Sequence, residues 1–120
     1  MSLPLRWHDA VVDDLRRVRK QFGDEAFAQA RQVIASLPGD SLLGDWLTEH
    51  AQTGDLSTCR KVKLGPDEIT ADGINLGPSP RLVYRLLPSN TDARQVEVIC
   101  IGPRRDLIAY AVAAARLQQD

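Results

Sequence analysis

The sequence is poor in the side chains that most often carry enzyme chemistry. Its 120 residues include two cysteines, two histidines and only 5% aromatic residues. Cys59 and Cys100 are too few for a disulfide framework and fit a reducing compartment. His8 and His50 lie far apart with no cysteines clustered near either, which argues against a metal site. His50, close to Trp46, reads as a partly buried helix residue. No G-x-S-x-G, P-loop or G-x-G-x-x-G motif occurs. No apolar run approaches the ~20 residues of a membrane span. The opening segment MSLPLRWHDAVVDD has acids where a signal peptide would need its apolar stretch, so the expected location is the cytoplasm.

What remains is ordinary globular material. Hydrophobic residues make up 43% and charged residues 26%, which fits one soluble domain over residues 1–120. The net charge of −1 hides an asymmetry. Residues 1–55 have six Lys/Arg against nine Asp/Glu, while residues 56–120 have nine against seven. Total charge does not suggest a nucleic-acid binder, but its distribution leaves that reading open.

Residues 3–7 read as a short strand, placed at a sheet edge by Pro4. Asp9 is positioned to cap a helix in which Trp7, Val11, Leu15, Val18 and Phe22 form one apolar face. Asp13, Asp14, Arg16, Arg17 and Lys20 form its solvated face. Gly23 ends this helix, and Asp24 caps a second one with the stripe Phe27, Ala30, Ile34 and Leu37. So short a turn predicts an antiparallel hairpin. Leu43, Trp46, Leu47 and His50 suggest a short helical piece, and Thr53–Asp55 a turn. CRKVKL, RLVYRLL and QVEVICI read as strands. GPDEITADGINLGPSP (65–80) reads as a long loop and PSNTDAR as a turn. Pro103 suits the first turn of a last helix whose buried side is Leu107, Ile108, Ala111, Val112 and Leu117. The order β-α-α-β-β-β-α predicts an α+β fold, an antiparallel meander with helices on one face.

The basic residues form the chemical signal. Arg60, Lys61 and Lys63 lie on one strand, Arg81 and Arg85 on the next, and Arg104 and Arg105 open the last helix. Lys61 and Lys63 share a sheet face, as do Arg81 and Arg85, because side chains alternate along a strand. Neighbouring strands would therefore bring cations together. Arginines at a helix start run against the helix dipole, and a bound phosphate would reverse the sign of that effect. The alternative is that they pair with acids of the first two helices. Cys100, inside an apolar strand, reads as a small core hydrophobe, and Cys59 as inert.

At these residues the sequence resembles the RelE/ParE toxin superfamily of bacterial type II toxin–antitoxin systems. The matching blocks are LSTCRKVKL (56–64), PRLVYRLL (80–87) and VEVICIGPRRDLIAYAVAAARL (96–117). The RelE-like branch is the nearer one. The resemblance implies a metal-independent endoribonuclease that cuts messenger RNA on the ribosome by attack of a ribose 2′-OH on the adjacent phosphate. It carries the catalytic set onto Lys61, Lys63, Arg81, Arg104 and Tyr110. Arg60, Arg85 and Arg105 are the expected substrate-binding residues. In this scheme the arginines stabilise developing charge, a lysine among cations serves as general base, and Tyr110 stacks on a displaced base. No cofactor is implied. The implied partners are a cognate antitoxin, the ribosome and its mRNA, with no membrane. One alternative is a ParE-like toxin that inhibits DNA gyrase by binding. Another is a non-catalytic member acting as antitoxin partner and operon co-regulator. The loop 65–80 is longer than the family pattern leads one to expect, and it carries Asp67, Glu68 and Asp72.

Overall fold

The computed structural model describes residues 2–47, 56–104 and 107–118. Its elements are β1 (Leu5–Trp7), α1 (Val11–Phe22), α2 (Asp24–Ser36), β2 (Asp45–Trp46), β3 (Cys59–Lys63), β4 (Asp67–Ile69), β5 (Asn75–Pro78), β6 (Pro80–Pro88), β7 (Ala93–Pro103) and α3 (Ile108–Gln118). The main sheet has the strand order β1-β7-β6-β3-β2, and β4 and β5 form a separate two-stranded sheet. β1 runs parallel to β7, while the other pairs are antiparallel. The expected α+β class, mainly antiparallel sheet and edge position of β1 are all present.

The helices cover both faces of the sheet rather than one. Leu82, Tyr84 and Leu86 of β6 join Val96, Val98 and Ile101 of β7 in a core with α1 and α2. Val83, Ile99 and Cys100 join Ala109, Tyr110, Ala113 and Ala114 of α3 in a second core. β6 and β7 are buried on both sides, so each face needs its own dry partner. The pairing shifts between Val83↔Cys100 and Tyr84↔Val98, leaving Ile99 as the extra residue of a bulge. The buried side of α3 is Ala109, Tyr110, Ala113, Ala114 and Arg116, whereas Ile108 is exposed. Of the expected stripe, Leu107, Val112 and Leu117 are only partly buried and Ala111 is exposed, because the alanines take the positions facing the sheet. A Cβ built on Gly102 would lie 3.5 Å from the Ala109 Cα.

Asp14, expected on a solvated face, is 3% exposed. It forms two bonds with the Arg116 guanidinium, one of them 2.8 Å from Nη2 to Oδ1. Its Oδ2 also accepts the Ile101 N–H at 3.0 Å, and Arg116 Nη1 donates to the Ile99 carbonyl at 3.0 Å. β1 pairs with β7 only as far as Val98. Beyond it, a buried ion pair satisfies polar groups that a strand edge would otherwise leave open.

Other local expectations change for identifiable reasons. Asp9 and Asp24 do not cap. Neither helix has a side-chain N-cap bond, and the Ala10 N–H is taken by His8 Nδ1. Asp24 instead pairs with Arg19 at 2.7 Å. The segment read as helical around Trp46 holds β2, paired to β3 by Asp45↔Lys61 and Trp46↔Arg60. Gly44 sets this arrangement. Its N–H donates to the Tyr84 hydroxyl, and a Cβ there would meet the Lys61 carbonyl oxygen at 2.7 Å. The loop 65–80 contains the β4–β5 hairpin, whose turn uses Gly73 at φ +82°. Pro103 ends β7 instead of opening α3. His50, the turn Thr53–Asp55, Arg105 and Asp106 lie outside the described residues.

Three predictions follow from this packing. Asp14→Ala leaves the Arg116 charge without its carboxylate and should cost about 3–5 kcal/mol, read as a lower urea midpoint at unchanged slope. Gly44→Ala should cost about 1–3 kcal/mol by overpacking, read in the same assay. Burial foremost, with the Asp14 carboxylate adding to it, pushes the Cys100 thiol up to about 12. The thiolate therefore forms only as pH nears that value. At pH 8 iodoacetamide should leave Cys100 unmodified in the folded chain and alkylate it in urea, as checked by peptide mass spectrometry.

Candidate functional site

Strand register decides which of the basic residues meet. Opposite residues on paired strands project to the same face. Lys63 stands opposite Arg81, and Arg81 opposite Gly102. Lys61 stands opposite Val83, and Cys59 opposite Arg85. Lys61, Lys63, Arg81 and Arg85 therefore share the face on which α3 packs. Arg60 projects to the other face, opposite Tyr84. There its Nη1 donates to the Gly44 carbonyl at 2.8 Å and its Nε to Asn90 Oδ1 at 3.0 Å. Its guanidinium carbon lies 5.9 Å from the centre of the Trp46 ring.

The residues on the shared face differ in what holds them. Arg81 is 3% exposed. Its Nη1 donates to the Pro78 carbonyl at 2.5 Å and the Pro80 carbonyl at 3.2 Å, bracing the junction between β5 and β6. Its buried Nε has no hydrogen-bond partner, the one such side-chain atom among the described residues. Leaving a buried donor unpaired costs about 1–3 kcal/mol. Arg85 pairs with Glu97 at 2.7 Å, and Glu97 also takes Arg6 at 3.1 Å. Lys63 is exposed and Lys61 half-buried. Tyr110 is 6% exposed and packs in the α3 core, so its ring presents no open face for a base.

Arg104 follows β7 and is exposed. Its backbone N–H donates to the Ser79 carbonyl at 2.9 Å, and its Nη1 donates to the Leu76 carbonyl at 3.2 Å. These bonds tie the strand leaving β7 to the β4–β5 hairpin. Between them lies a groove of about 240 Å³, lined by Glu68, Leu76–Ser79, Arg104 and Leu107. The site thus consists of a cationic sheet face and a groove at one end of it, walled on one side by the hairpin.

Glu68 and the hairpin carbonyls are groove components that the basic residues alone do not reveal. The available signal was three acids in a segment next to a cationic cluster. Among the described residues no group of three or more His, Cys, Asp or Glu could hold a metal ion. No helix among them is long and apolar enough to cross a membrane.

No family model matches the sequence, and no curated protein matches it. Solved structures do. The conserved hypothetical protein HP0892 of Helicobacter pylori is 19% identical, with a TM-score of 0.45 over 88% of this chain and 98% of that one. The toxin RelE of E. coli, in its free state and with two arginines replaced by alanine, is 17% identical. Its TM-score is 0.57 over 98% of this chain and 99% of that one. The match spans both chains almost from end to end, and the chain has the RelE-type fold.

Proposed function

We propose that this protein is the toxin of a toxin–antitoxin pair and acts as a ribosome-dependent mRNA endonuclease. The observation that carries this reading is the common face of Lys61, Lys63, Arg81 and Arg85, with Arg104 at the groove beside it. The likeness to the RelE fold supports it. In the reaction a ribose 2′-OH attacks the adjacent phosphorus, an O2′–P bond forms and the P–O5′ bond breaks. Negative charge builds on the non-bridging oxygens. The Arg104 guanidinium, anchored by one Nη1 bond, has donors left for those oxygens. Lys63 supplies a second charge from β3. Arg81 shapes the groove from beneath by holding the Pro78–Pro80 carbonyls. An antitoxin would inhibit by covering this face, and both partners would meet in the cytoplasm.

A second reading, inhibition by binding alone as in ParE-like toxins, draws on two observations. Tyr110 is buried, and Arg85 is already paired with Glu97. The two readings separate in the cell. Expression without antitoxin should arrest translation and leave messages with new 5′-OH ends. Arg104→Ala should lower the single-turnover cleavage rate on programmed ribosomes about 10²–10³-fold while keeping the wild-type melting temperature. DNA damage with intact messages would favour the binding reading.

A further inference from the structure

We infer that Glu68, on the hairpin, is the general base that takes the 2′-OH proton, a role the family resemblance would give to a lysine. The inference rests on the nuclease reading and extends it.

Three observations point to Glu68. The first is strand alternation in β4. Asp67 and Ile69 project outward, and Asp67 Oδ2 accepts the Asn75 side-chain N–H at 3.1 Å. Glu68, half-buried, projects the other way and lines the groove. The second is the lining itself. Among the described residues that line it Glu68 is the one carboxylate and Arg104 the one cation, and neither Lys61 nor Lys63 takes part. The third is the bracing of the hairpin base, where Arg104 and Arg81 bind the carbonyls of Leu76 and Pro78 on β5, the partner strand of Glu68. A carboxylate and a guanidinium lining one groove match what attack by a ribose hydroxyl requires. The guanidinium binds the phosphate, and the carboxylate receives the proton.

The proton balance is simple. The 2′-OH gives its proton to a Glu68 carboxylate oxygen as O2′ bonds to phosphorus. O5′ departs with the electron pair of the broken bond and takes a proton from solvent water. Glu68 then returns its proton to solvent. The products are a 2′,3′-cyclic phosphate and a 5′-OH, with no water consumed. The substrate class is RNA, since DNA lacks the nucleophile.

The test is single-turnover cleavage on programmed ribosomes between pH 6 and 9, with affinity measured on a message carrying 2′-deoxyribose at the cleavage position. Glu68→Gln should cut about 10²–10⁴ times more slowly with affinity undiminished and melting temperature unchanged. Glu68→Asp should recover part of the rate. The wild-type rate should lack the steep rise, up to tenfold per pH unit, that a lysine base would impose. Wild-type cleavage by Glu68→Gln, or that steep rise, would overturn the assignment and leave the nuclease reading standing. A wild-type protein that leaves messages uncut would remove the nuclease reading and this assignment together.

Discussion

The buried pair between Asp14 and Arg116 is the constraint on which the rest of the molecule depends. It joins α1, on one side of the sheet, to α3, on the other, across the open edge of β7. An ion pair in the interior repays its desolvation only when its remaining donors and acceptors are also satisfied. Here the Ile99 carbonyl and the Ile101 N–H supply those bonds. The pair therefore fixes where α3 lies, and with it Leu107 at the start of the helix. Leu107 lines the groove together with Arg104.

A second constraint acts from below. Arg81 spends its guanidinium on backbone carbonyls at the hairpin base, and Arg104 reaches the same strand from the rim. The two arginines thus make a hairpin that pairs only with itself part of a defined cleft. Isolated two-stranded hairpins are marginal in water, so this bracing matters to its order. Arg104 after β7 and Glu68 on the hairpin bring side chains of opposite charge type to one cleft.

Much of this was legible in the residues. CRKVKL, with its rough period-two alternation, RLVYRLL and QVEVICI read as the strands β3, β6 and β7, and alternation paired Lys61 with Lys63 and Arg81 with Arg85, which the register joins on one face. The α1–α2 hairpin was equally clear from its stripes and Gly23. Long-range partnerships were not legible. Nothing local marks Asp14 as buried, because its partner is 102 positions away. The face of α3 that packs on the sheet is made largely of alanines, Ala109, Ala113 and Ala114, which a stripe of large apolar residues does not reveal. The hairpin was hidden by its glycines and prolines, and Trp46 looked helical until Gly44 met Tyr84. Arg60 was counted with the cationic cluster although its position, one residue from Lys61, turns it to the other face.

The central claim is that the cationic face and its groove grip a phosphodiester. The most direct measurement is an NMR titration of the folded protein with a short 2′-O-methyl oligoribonucleotide, which binds but lacks the nucleophile. The account predicts amide shifts concentrated at Lys63, Ser79, Arg104 and Glu68, weakening with added salt. Shifts gathered instead on the exposed surface of α1 and α2, or none at saturating ligand, would contradict it.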